Sequence, residues 1–134
     1  MTFQIRQNAI LSRTAEIGQN LTEAQLIGKE VMDYQLVLQF KGKTILDFDA
    51  LVTLEQNLQR VVEPIAEVDG HDIGSGEINI FVFTADPVAT FERAKMLLSD
   101  ASLLDKVGSA YRDLQSDKYT VIWPESSAEV FTIA

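Results

Sequence analysis

The one histidine of this chain lies in an unusually polar run, Asp69-Gly70-His71-Asp72-Ile73-Gly74-Ser75-Gly76-Glu77. Ser75, His71 and Asp72 are the residue types of a nucleophilic triad. That chemistry needs a rigid relay, with the acid on one imidazole nitrogen and the hydroxyl on the other, which a short bend does not supply. His71 with Asp69, Asp72 or Glu77 has the donor types for a divalent metal ion. A calcium loop starting at Asp69 requires an oxygen ligand at its fifth position and an acid at its twelfth, where Ile73 and Ile80 stand. Gly74-Ser75-Gly76 lacks the third glycine of a dinucleotide fingerprint and leads into a strand. Neither Asp47/Asp49 nor Asp69/Asp72 shows the unequal burial that drives paired carboxylates apart in pKa. No catalytic residue, metal site or cofactor is therefore assigned. The run reads as a long hairpin connection in which Gly70, Gly74 and Gly76 supply positive φ and the aspartates bond nearby backbone N–H groups.

Charge is the stronger signal. Between Arg60 and Arg93 there is no Lys or Arg, whereas Glu63, Glu67, Asp69, Asp72, Glu77, Asp86 and Glu92 all fall in that interval. These seven acids contribute −7 to a net charge of −9. Like charges gathered around one connection repel, although salt screens exposed charges more than about 8–10 Å apart. Such an acidic balance opposes nucleic acid and anionic membrane surfaces as partners and suits a basic protein.

The elements that position these residues follow from periodicity. Tyr34, Leu36, Leu38 and Phe40 alternate with Gln35, Val37 and Gln39, which predicts a strand. Asp47 or Asp49 can cap a helix carrying Leu51, Leu54, Leu58 and Val61, ended by Pro64. Ile65–Val68 reads as a short strand and Glu77–Thr84 as the strongest one. Asp86-Pro87 is a helix start, an N-cap acceptor followed by proline at the first helical position. Ser102 can open a further helix through Leu104, Val107, Tyr111 and Leu114. Lys118–Trp123 then reads as a strand stopped by Pro124, and Val130–Ile133 as an edge strand. From Asp33 the order strand, helix, strand, strand, helix, strand resembles the ferredoxin-like split βαβ arrangement, an α+β fold with an antiparallel sheet and both helices on one face. Residues 1–32 form a separate, weakly helical extension, with Gly18 and Gly28 interrupting a thin stripe at Ile10, Ile17, Ala24 and Val31. Residues 33–134 are the α+β domain.

If the helices cover Leu36, Leu38, Ile78, Ile80 and Val82, the opposite face carries Gln35, Val37, Gln39, Glu77, Asn79, Phe81 and Phe83. Aromatics flanked by amides suit a binding surface, but the absence of Lys and Arg from Glu77–Thr84 excludes the base-stacking use of such a face in RNA-recognition domains. Either the extension, the C-terminal strand or a second subunit covers this face, self-association being the commonest form, or it receives a ligand.

The composition completes the frame. With 134 residues, 46% hydrophobic and no cysteine, the chain makes one ordinary domain without disulfides, thiol chemistry or thiolate metal sites. No secretory leader or membrane span is legible, so a cytoplasmic protein is expected. The functional expectation is a small acidic binding or regulatory protein, an immunity- or inhibitor-type antagonist of a basic protein. Its partner-binding residues are Glu67, Asp69, His71, Asp72 and Glu77 for charge and polarity, with Asn79, Phe81 and Phe83 for contact. One alternative is a small-molecule binder or enzyme with a cleft on the exposed sheet face near His71, the side chain whose ordinary pKa lies nearest neutrality. Another is a homo-oligomer with no separate ligand.

Overall fold

Alternation in the first strand organises everything that follows. The computed structural model describes residues 31–125 and 130–133, which begin with β1 (Tyr34–Lys41). Leu36, Leu38 and Phe40 face one way and enter the apolar core, while Gln35, Val37 and Gln39 face the other. The chain continues through α1 (Phe48–Val62), β2 (Ala66–Gly74), β3 (Glu77–Thr84), α2 (Pro87–Asp100), β4 (Val107–Asp113) and β5 (Thr120–Trp123). The five strands form one antiparallel sheet in the order β2-β3-β1-β4-β5. The fold is thus α+β. The expected ferredoxin-like order is not reproduced as such: a strand, β4, stands where the sequence pattern indicates a third helix, and it lies between β1 and the strand at Thr120–Trp123. The helical extension expected over residues 1–32 lies outside the described residues, apart from its last two.

The helix starts are those the sequence implies. Asp47 Oδ1 accepts from the Ala50 N–H at 2.8 Å, and Asp86 Oδ1 from Ala89 at 3.1 Å, with Pro87 in the first turn. Each cap supplies an acceptor that the first helical turn lacks, at about 1 kcal/mol. Leu51, Leu54, Leu58 and Val62 form the buried stripe of α1, Val62 taking the position expected of Val61. Phe91, Ala94 and Leu98 do the same for α2. Both helices pack on the face of Leu36, Leu38, Ile80 and Val82.

Three elements differ from expectation. Ser102 closes a helix instead of opening one: it takes φ 60°, its N–H donates to Ser99 O at 3.0 Å, and the Leu103 N–H reaches Leu98 O at 2.8 Å. This is the Schellman arrangement, completed by burial of both Leu98 and Leu103. The helix expected through Val107 and Tyr111 is strand β4, paired with β1 along its length. Its small residues Gly108, Ser109 and Ala110 mask the alternation, and a short apolar run fits either period. The chain-terminal edge is β5; Val130–Ile133 carries no regular structure.

Candidate functional site

The polar run around His71 is not a bend. β2 extends to Gly74, and only Ser75 and Gly76 form the turn before β3. Their φ values, 53° and 77°, are both positive, as a tight two-residue hairpin turn of the primed type requires. Gly70 and Gly74 instead sit in the strand, so they are not the positive-φ positions. A bulge between Val68 and Gly70 places Asp69 as the extra residue.

Strand alternation then separates the candidate residues. His71 stands opposite Ile80 and turns to the helix side, where its Nδ1 lies 3.0 Å from Glu55 Oε1 of α1. The Phe48 ring meets the imidazole edge-on at 5.9 Å. Asp72 stands opposite Asn79, faces away from the helices and is exposed. The acid beside His71 is consequently Glu55, not Asp72, and Ser75 lies out in the turn; the triad types are not assembled. Phe81 and Phe83 share the face of Asp72, so His71 does not lie on the face that carries them. Among the described residues no group of three or more His, Asp or Glu gathers as a metal site would.

Much of the second face of the sheet is buried. Glu67, Asp69, Glu77, Asn79 and Phe83 are all at least nine-tenths buried, and Phe81 is partly so. Gln39 is the hub on this side. Its Nε2 donates to Glu77 Oε2 at 3.1 Å, Asn79 Oδ1 at 3.0 Å and the Thr132 carbonyl at 2.9 Å. Asn79 Nδ2 also donates to Glu77 Oε2, at 3.1 Å. Three acceptors share one amide group with two hydrogens, so one of these bonds is bifurcated. Nearby, Arg112 Nε donates to Gln35 Oε1 at 3.0 Å, and its Nη1 reaches the Ser116 carbonyl at 3.0 Å. Segment 130–133 therefore crosses part of this face through Thr132, with Phe131 against Gly108 and Tyr119. Gln39, Glu55, Phe48 and Thr132 are the contributors that the local motif did not indicate; each comes from an element distant in sequence.

The acids of the cation-poor interval thus do not form one solvent-facing cluster. Glu67, Asp69 and Glu77 are buried; Asp86 caps α2; Glu92 pairs with Lys95 at 2.7 Å; Glu63 and Asp72 are exposed at opposite ends of β2. On the far side of the molecule a groove of about 330 Å³ runs between α2 and β5. There Lys95 Nζ sits 4.8 Å from the Trp123 ring centroid, a cation over an aromatic face. Comparison with family models, curated proteins and solved structures finds no match to this chain.

Proposed function

We propose that this chain is a small acidic binding or regulatory protein that docks on a positively charged protein, as an immunity- or inhibitor-type antagonist does, and works by occupancy without catalysis. The observation that supports it is the one-sided charge of the β2–β3 hairpin and its flanks: from residue 61 to residue 92 the chain contributes acids and no Lys or Arg. Asp72 near the hairpin turn, Glu63 at the C-cap of α1 and Asp49 in its first turn each present exposed charge, on different parts of the surface. A field of this sign speeds encounter with a cationic surface and weakens as salt rises. Glu67, Asp69 and Glu77 belong to the folded interior in this reading and make no direct contact with a partner. The finer fold reading is that β1–α1–β2–β3–α2–β4 is a ferredoxin-like split βαβ unit with β5 appended, supported by the run β2-β3-β1-β4 within the sheet.

The test begins with capture by the immobilised full-length chain at low salt, followed by identification of what high salt releases. For a purified basic protein so obtained, the association rate should fall by about tenfold or more between low and high salt. Asp72→Lys combined with Glu63→Lys should slow it further. A captured partner that is not basic, or whose association ignores both salt and the two charge reversals, overturns the reading. His71→Ala should leave association intact; loss of a ligand-dependent activity in that variant would favour chemistry at the His71–Glu55 pair instead.

A further inference from the structure

The two edges of the sheet are guarded unequally. β5 is only four residues long, whereas β2 runs for nine. A long edge strand leaves a row of backbone donors and acceptors that natural sheets block with bulges, charge or cover. On β2 the blocking is local. The hairpin register makes Gly74–Glu77 and Asp72–Asn79 the pairs that exchange hydrogen bonds across the ladder, because they flank a two-residue turn. His71 and Ile73 therefore turn their N–H and C=O groups outward. Past the bulge the parity resets, and the outward N–H of Val68 is taken by Gln59 Oε1 of α1 at 2.7 Å. Among the described residues no such side chain reaches the outward groups of His71 and Ile73.

The surroundings of this open stretch are chemically specific. On its helix side, Ile73 and Phe48 are 57% and 60% exposed, Phe48 in edge contact with His71. On its other side stands Asp72, exposed. No Lys or Arg occurs anywhere on β2 or β3.

We propose that the outer edge of β2 from His71 to Gly74 accepts an extended cationic segment of a partner protein as a sixth strand. The inference rests on the binding function above and specifies its contact. Backbone bonds to His71 and Ile73 supply the register. An apolar side chain of the segment covers Ile73 and Phe48, and the alternate residue, Lys or Arg, lies beside Asp72. A second copy of this chain fits less well, since edge-to-edge pairing would bring two Asp72-bearing strands together with no cation on either.

The probe is a blocked peptide of alternating Lys and Val, added to the isotope-labelled full-length chain, with amide hydrogen exchange read residue by residue. Exchange at His71 and Ile73 should slow. The same peptide Nα-methylated at alternate residues, and a Glu–Val counterpart, should leave both amides unchanged. Ile73→Pro deletes an outward N–H and no ladder bond, and its demand for an extended Asp72 is already met. It should weaken the Lys–Val peptide by about tenfold. Ile73→Lys keeps the donor and serves as the second variant, with the same loss expected through repulsion.

Binding of the Lys–Val peptide without protection at His71 and Ile73 overturns edge docking and leaves the charge-based function standing. Absence of any binding by the cationic peptide likewise overturns edge docking, while the charge-based function stands or falls by the salt dependence of its captured partner. A chain that is already dimeric, with these amides protected and the dimer abolished by Ile73→Pro, overturns the cationic occupant in favour of a second copy.

Discussion

Gln39 and Phe40 are neighbours in β1 that look to opposite sides of one sheet, and both are interior, 7% and 1% exposed. Around Phe40 the packing is apolar: Leu36, Leu38, Ile80 and Val82 meet the stripes of α1 and α2. Around Gln39 it is directional, an amide joined to Glu77, Asn79 and the Thr132 carbonyl. Apolar burial is proportional to area and indifferent to orientation, so the helix side can repack around modest changes. The polar side holds only while every buried group keeps its partners, because an orphaned group forfeits its full hydration. One side supplies the driving force, and the other ties segment 130–133 to the centre of the sheet.

Substitution at these adjacent positions tests the contrast. Phe40→Ala removes a fully buried ring and should cost about 3–5 kcal/mol, read as a fall in the urea midpoint. Gln39→Leu is close in volume but deletes the donor to two side chains and one carbonyl, and should cost about 1–3 kcal/mol. The second variant should also speed amide exchange around Thr132, whereas Phe40→Ala should speed exchange across β1, β3 and β4 together. A Gln39→Leu chain as stable as the parent would mean that the second face is held by area alone.

Much of the helix side was legible in the sequence, and the reason is local. Alternation in β1 and β3 and the caps Asp47 and Asp86-Pro87 are written in contiguous residues and needed no tertiary information. That the second side would be covered, by the extension, the C-terminal segment or a second subunit, was legible; which groups would meet across it was not. What reaches Gln39 is Thr132, 93 positions away, and no periodicity encodes such a contact. β2 runs beyond the Ile65–Val68 that its residues indicate, because Asp69, Gly70, Asp72 and Gly74 are poor strand formers and ladder pairing with β3 overrides that preference. For the candidate site, the acids were visible, but their separation was not. A bulge at Asp69 and strict alternation beyond it decide that His71 meets Glu55 while Asp72 faces away.

Polar groups also occur on the helix side, and they sharpen the contrast by being self-contained. Thr84 and Thr90 are fully buried, with their Oγ1 atoms 2.6 Å apart. Thr90 Oγ1 also donates to Asp86 O at 2.8 Å, and Thr84 Oγ1 accepts from Asp86 N at 2.9 Å. This knot fastens the β3–α2 connection. Thr90→Val is nearly isosteric and leaves Thr84 bonded to Asp86 N, so it should cost about 1 kcal/mol by chemical denaturation. A loss matching that of Gln39→Leu would show that the two faces depend on hydrogen bonding to the same degree.

The smallest effect is expected where the helix side runs out. Ile73 stands opposite Ile78, which stands opposite Phe40, so all three project from the same face of the sheet. Yet Phe40 is enclosed and Ile73 is 57% exposed, because the helix layer covers β2 only as far as Phe48 and His71. Burial on this face is set by distance from the helices, not by alternation. Ile73→Lys removes little buried area, keeps the backbone donor and places its ammonium in solvent, as edge strands commonly do. Its effect on thermal or urea unfolding should stay within about 0.5 kcal/mol, the range of substitutions away from packed features. A cost above about 2 kcal/mol would mean that Ile73 is packed in solution. The dry face would then extend to the sheet's outer strand, and the edge from His71 to Gly74 would not be open to a partner.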